Sequence, residues 1–191
     1  MTISESDIRV ALQNAFARKK DHQPYQKRAA VLVPVITGTT GIEILLTQRT
    51  DLVEHHKNQI SFPGGTVDNE DKSIIDAALR ETEEELGIPS DCVEILGIID
   101  EVTTPSHFLI TPVVGILKSL PRLRLNQIEV QRAFTVPLAF FDNENNMRVE
   151  YHEFEGKKRE VYFYEYEDKT IWGVTAFIIR LLLRRIAEPR Y

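Results

Sequence analysis

The segment Arg80-Glu-Thr-Glu-Glu-Glu-Leu-Gly87 places glutamate at four of the five positions 81–85. Ser73 with Asp76 three residues later is a capping-box-like start, and Gly87 before Ile88-Pro89 is a stop, so a helix is expected over about 74–86. Like charges three and four residues apart on a helix repel one another. At about 100° per residue, Ile75, Leu79, Thr82 and Leu86 make the expected buried stripe. Glu81, Glu84 and Glu85 gather on an adjoining face, and Glu83 points elsewhere. With a rise of about 1.5 Å per residue, Glu81 and Glu85 lie about 6 Å apart along the axis, near enough to share hard cations. A Glu-rich face is ordinarily a solvated one. Here the acids adjoin the buried stripe, and the glycine pair of Ser61-Phe-Pro-Gly-Gly65 stands just upstream, where backbone can approach a phosphate or metal closely.

The chain has 191 residues, 42% of them hydrophobic, which suits one domain spanning 1–191. No apolar run reaches the roughly 20 residues that span a bilayer, and the N-terminus lacks the basic and apolar regions of a secretory signal, so a cytoplasmic protein with no membrane partner is expected. Cys92 is the single cysteine, which excludes an intrachain disulfide and a cysteine zinc cluster. The net charge of −6, with acids concentrated at 68–85, argues against nucleic acid as a partner. An acidic chain that binds a phosphorylated ligand needs metal ions or a local basic patch.

Apolar periodicity from Ser4 to about Lys20, with Ser4 or Ser6 as cap, predicts an N-terminal helix within 1–25. The runs 29–36 and 42–49 read as a hairpin, 93–100 and 108–117 as further strands, and 147–167 as a second hairpin around Glu155-Gly-Lys-Lys158. The segment 171–186 reads as a core-packing or dimer-packing C-terminal helix. The expected fold is mixed α/β (α+β), a mixed central sheet with helices on both faces.

These residues resemble the signature of the Nudix hydrolases: Gly, five residues, Glu, seven residues, then Arg-Glu-apolar-x-Glu-Glu-x-Gly-apolar. Gly65, Arg80, Glu81, Glu84, Glu85, Gly87 and Ile88 match it. Asp71 stands where the first Glu belongs, eight residues instead of seven precede Arg80, and Thr82 replaces an apolar residue. The stretch from Leu45 to Ile88 is similar to the extended motif of the coenzyme A pyrophosphatase branch, which carries that same Asp and extra residue. The similarity continues in 110–117 and 171–176. Glu54 stands where the branch usually has Arg, and Asn58 where it has Gly.

The resemblance implies a Nudix α/β/α sandwich. It also implies a metal-dependent diphosphatase in which Glu81, Glu84 and Glu85, with the backbone near Gly64, hold Mg²⁺ or Mn²⁺ against a small nucleoside diphosphate derivative. Arg80 would orient the glutamates, and Asp71 would be an outer-shell ligand or a favourable charge near the helix start. The general base is a box glutamate or a later acid, with Glu101 the loop candidate. Arg49, His56, Lys57, Gln59 and Gly65 are the candidate substrate contacts, His56 fitting the branch's motif His better than His55 does. Coenzyme A or its thioesters lead as substrate. ADP-ribose, dinucleotides and nucleotide sugars are the alternatives, followed by a catalytically silent nucleotide-binding module. A homodimer is an assembly the family often forms.

Overall fold

Residues 29–36 are apolar almost throughout, as befits a strand covered on both faces. They form the middle of β1 (Lys27–Gly38) in the computed structural model, which describes residues 3–13, 27–38, 41–52, 57–154 and 156–188. The large mixed sheet also contains β2 (Gly41–Arg49), β3 (Ile60–Ser61), β4 (Gly64–Thr66), β5 (Glu94–Ile98), β6 (Val102–Thr103), β7 (Phe108–Leu117) and β8 (Val130–Pro137). Its spine runs β3-β2-β1-β7-β5, with β4 beside β1, β6 beside β7 and β8 beside β2. β1 and β7 pair in parallel from Lys27↔Phe108 to Ile36↔Leu117, and the other pairs are antiparallel.

Alternate residues of these strands feed two cores. Ala30, Leu32, Leu45 and Val113 face α2 (Ile74–Leu86), meeting Ala77, Ala78 and Leu86. Val33, Val35, Ile44, Leu46 and Val114 face the other way, onto Ile8 and Leu12 of α1 (Glu5–Leu12), Leu138 and Phe141 of α3 (Leu138–Asp142), and Ile178, Ile179 and Leu182 of α4 (Gly173–Ala187). A second sheet of β9 (Met147–Phe154), β10 (Lys157–Tyr166) and β11 (Lys169–Trp172) docks through fully buried Tyr164, which packs edge-on to Phe141. The result is the expected mixed sheet with helices on both faces.

Several expectations need adjustment. The first helix ends at Leu12 in the described residues, and 14–26 lie outside them. The C-terminal helix begins at Gly173, because Lys169–Trp172 pairs with β10 as a strand. The buried stripe of α2 also differs: Ala77, Ala78, Thr82, Glu85 and Leu86 are buried, while Ile75 and Leu79 are only partly covered. The helix is rotated so that small side chains sit against the sheet and Glu85 is carried inward. Its boundaries agree with the sequence signals, since Ser73 accepts the Asp76 N–H and Gly87 closes the end at φ 67°.

β4 lies against β1 with Gly64 opposite Val31 and Gly65 opposite Ala30. Gly64 has φ 149°, and a Cβ there would stand 2.4 Å from the Ala30 carbonyl oxygen and 2.6 Å from the Val31 Cα. Both obstacles are backbone, so neither can step aside. Gly64→Ala should therefore destabilise the protein by about 2 kcal/mol or more, read as a lower midpoint in urea unfolding at unchanged slope.

Candidate active site

From the middle of α2, Arg80 makes five hydrogen bonds to four groups. Its Nε and Nη2 donate to the two oxygens of Asp71, each at 3.0 Å, in the bidentate arrangement that suits guanidinium and carboxylate. Nη1 donates to Glu81 at 3.0 Å and to Glu84 at 3.3 Å, and Nη2 also donates to the Thr66 carbonyl at 3.1 Å. One cation thus ties the loop after β4 to two acids of the helix. Asp71 is absorbed by this pairing and by the Asp68 N–H, and the Arg80 guanidinium holds its carboxyl below the usual carboxylate range.

The three glutamates of the signature occupy different environments. Glu84 is exposed. Glu81 lies over Gly65, where an added Cβ would come within 2.6 Å of both carboxylate oxygens. Burial raises the Glu81 pKa, against the pull of Arg80 and with a push from the charges of Glu84 and Glu129. Glu85 is 2% exposed, and its Oε2 has no hydrogen-bond partner among the described residues. Burial pushes its carboxyl up to about 8, with Arg49 opposing and Glu129 and Glu81 adding to the rise. Arg49 Nη1 stands 3.6 Å from Glu85 Oε1. Among the described residues no three His, Cys, Asp or Glu side chains close into a ready cage. Glu81 and Glu84 are turned toward Arg80 instead.

The donor set nonetheless fits a hard divalent cation. All of its groups are oxygens, one of them is a buried carboxylate oxygen without a partner, and the glycine pair keeps side chains out of the space beside them.

The segment from Arg49 to Gln59 forms a loop closed at its base. The Arg49 N–H donates to the Gln59 carbonyl at 2.9 Å and the Asn58 N–H to the Thr50 carbonyl at 3.4 Å. Lys57 is exposed on this loop, whereas His55, His56 and Glu54 lie outside the described residues. Asn58 has φ 59°, the left-handed conformation that glycine enters freely and asparagine tolerates better than most residues. The Asn-for-Gly departure from the branch motif therefore keeps the backbone path.

Glu101 is 5% exposed, not a solvated loop acid, and its Oε1 accepts from Thr111 Oγ1 at 3.1 Å. Thr111 is the β7 partner of Ala30, which pairs in turn with Gly65, so two strand spacings, about 10 Å, separate Thr111 from the glycine turn. Sequence reasoning missed Glu129. It ends a turn whose Asn126 N–H donates to the Glu85 carbonyl at 2.9 Å. The local signal was an Asn three residues before an acid, which reads simply as a turn.

Comparison with known proteins matches residues 26–117 to the NUDIX domain. A curated relative, "Uncharacterized Nudix hydrolase NudL" of Klebsiella pneumoniae (strain 342), is 40% identical over 174 residues, covering 88% of each chain. Among solved structures, a MutT/nudix family protein from Enterococcus faecalis aligns over 98% of this chain and 76% of its own at a TM-score of 0.56 and 15% identity. A C. elegans Ap4A hydrolase in a binary complex aligns over 58% of this chain and 80% of its own, at a TM-score of 0.50 and 25% identity. With the helix carboxylates, the glycine strand and a relative that shares nearly its whole length, this chain belongs to the Nudix hydrolases.

Proposed function

We propose that this hydrolase cleaves the diphosphate linkage of coenzyme A or its thioesters, giving adenosine 3′,5′-bisphosphate and 4′-phosphopantetheine. The observation that carries the diphosphate chemistry is Glu85, a buried carboxylate with a free oxygen beside the glycine turn. Burying a charge without compensation is costly, and a bound cation removes that cost. The choice of coenzyme A rests on the similarity of 45–88 to the branch motif and on Asn58, whose left-handed backbone accommodates the usual glycine.

Glu81, Glu84 and Glu85, with the backbone at Gly64, would hold Mg²⁺ or Mn²⁺, which when bound polarises the P–O bond and lowers the pKa of an attacking water. Arg80 acts as a positioning residue, fixing Glu81 and Glu84 against Asp71 and Thr66. Gly65 leaves room for the Glu81 carboxylate to lie on the strand. Arg49, at the rim beside Glu85, offers a guanidinium to a substrate phosphate. Lys57 extends that positive edge into solvent, and Gln59 sits where its backbone anchors Arg49. His56 belongs to the same loop by sequence. A box glutamate or Glu101 takes the proton from water. Cleavage of dinucleotides is the second reading, favoured by the likeness to the Ap4A hydrolase.

Mass spectrometry of products from coenzyme A, acetyl-coenzyme A, ADP-ribose, NADH and diadenosine polyphosphates tests this, with Glu84→Gln as control. Release of 4′-phosphopantetheine in preference to all other products is expected. A stronger yield from diadenosine polyphosphates would replace coenzyme A with the second reading, and no product from any compound would leave a nucleotide-binding module.

Gly65→Ala displaces the flexible end of Glu81 and not backbone, in contrast to Gly64. Turnover should fall by on the order of 100-fold while Tm moves by less than about 4 °C. A raised carboxyl pKa means that the native state binds more protons than the unfolded chain, so its stability is fullest below the unfolded value and falls as pH rises through the native one. For Glu85 that window ends at about 8. In EDTA, Tm should therefore decline from pH 5 to 8, Mg²⁺ should restore it at the alkaline end, and Glu85→Gln should flatten the decline. For Glu101→Gln, loss of the rising acid limb of the pH–rate profile is the outcome expected of a general base at this position; an unchanged profile assigns that step to the helix glutamates.

A further inference from the structure

The loop from Arg49 to Gln59 is tied to the small sheet by a chain of side-chain hydrogen bonds in which neither the signature helix nor the glycine strand takes part. Gln48 and Arg132 stand opposite each other on β2 and β8, and Arg132 Nε donates to Gln48 Oε1 at 2.6 Å. Gln48 Nε2 in turn donates to the Asn58 carbonyl at 3.3 Å. On its other side, Arg132 Nη1 donates to Asp168 Oδ2 at 3.1 Å, in the turn between β10 and β11. The guanidinium also lies over the Phe134 ring, 5.9 Å from its centroid.

A guanidinium has no acceptor, so it decides which way the Gln48 amide faces. Oε1 must turn to Arg132, which leaves Nε2 aimed at Asn58. Asp168 is held as well: Lys169, 8% exposed, donates from Nζ to Asp168 Oδ1 at 2.6 Å and to Glu167 Oε2 at 2.7 Å, with the centroid of the Phe134 ring 5.1 Å away. Lys169 and Arg132 together hold the Asp168 carboxyl down to about 2, so it is charged at any working pH. The two ends of the chain share a conformation. Asn58 has φ 59° and Glu167 φ 54°, two of the three non-glycine residues with positive φ among those described. Such residues persist where their surroundings over-determine them, as at a ligand clamp. Asn58 follows the exposed Lys57; its N–H reaches the Thr50 carbonyl at 3.4 Å, and Gln48 supplies the bond to its own carbonyl.

We propose that Arg132 is a positioning residue for substrate: oriented by Asp168, it sets Gln48, and Gln48 holds the returning limb of the loop at Asn58 so that Lys57 and Arg49 face the diphosphate. This rests on the substrate role proposed above for Arg49 and Lys57. The β10–β11 turn, outside the residues matched to the NUDIX domain, thereby tunes binding and leaves the carboxylate chemistry alone.

The test is steady-state kinetics with Mg²⁺ on coenzyme A, or on the diphosphate that the product panel selects, paired with hydrogen–deuterium exchange of the peptides covering 50–60. The full chain is compared as wild type, Gln48→Met, Arg132→Met, the double variant, Asp168→Ala, Lys57→Ala and Arg159→Met, an exposed cation on β10. KM should rise about five-fold in Gln48→Met and in Arg132→Met and no further in the double variant, with kcat within about two-fold and faster exchange at 50–60. Asp168→Ala supplies the sign. Removing a negative charge would by itself favour an anionic substrate, whereas losing the hold on Arg132 should raise KM about two-fold or more. Tm should move by less than about 3 °C throughout, because exposed ion pairs contribute little. Arg159→Met should match wild type.

Multiplying effects of Gln48→Met and Arg132→Met, or a lower KM in Asp168→Ala, would reduce Arg132 to a distant charge and overturn the assignment. So would wild-type exchange at 50–60, or a fall in kcat together with a larger loss of Tm, which marks a structural role. Wild-type KM in these variants beside a raised KM in Lys57→Ala overturns it and leaves the proposed function standing. Wild-type KM in all of them, Lys57→Ala included, removes the substrate role of the loop and this inference with it, while diphosphate hydrolysis stands. No turnover of any compound removes the proposed function and this inference together.

Discussion

A carboxylate that the fold pulls out of water organises this molecule. Glu85 sits at the inner end of a helix whose neighbouring positions are alanine and threonine, so α2 rides close to the sheet and carries its acid in with it. That approach works only because β4 presents glycine at the contact, where any Cβ would strike backbone or the Glu81 carboxylate. Arg49 and Arg80 each balance part of the charge, and the unpartnered Oε2 measures what they leave undone. The scaffold therefore holds an electrostatic tension that belongs to the site and not to the core.

The two arginines divide the work by position. Arg80 makes short, geometrically fixed bonds to a loop acid, a backbone carbonyl and two helix acids, which is a structural use of guanidinium. Arg49 stands farther from its carboxylate and closer to the rim, at the base of a loop bearing Lys57. The first orders the glutamates whether or not anything is bound. The second holds its carboxylate more loosely, at 3.6 Å.

Local signals were readable wherever a local bond enforces them. Ser73 and Gly87 mark the ends of α2 because their hydrogen bonds lie within four residues, and 108–117 reads as a strand because it is apolar on both faces. The face that α2 buries was not readable in the same way. Hydropathy puts Leu79 inward and Glu85 on the face beside the buried stripe, whereas glycine at 64–65 and Arg49, both distant in sequence, carry Glu85 inside. Strand β8 and the placement of Glu129 depend on partners at 44–50 and 85–86, and neither contact leaves a mark in the residues around 129. The carboxylate at 101 was legible as an acid after a strand, but its burial came from Thr111 on a neighbouring strand.

The parallel pairing of β1 with β7 joins residue 29 to residue 110, which are 81 positions apart. The glycine strand and the whole of α2 lie inside the loop that this pairing closes. Closing so long a loop is the slow, entropically expensive part of folding, because no contact rewards it until the ends have met. Helix α2 can form early from its own caps, yet its acids gain the sheet beneath them only once that closure is made. The order of assembly thus keeps the repelling carboxylates in water until the late stages of folding, and their crowding presses on the completed molecule instead of on its nucleus.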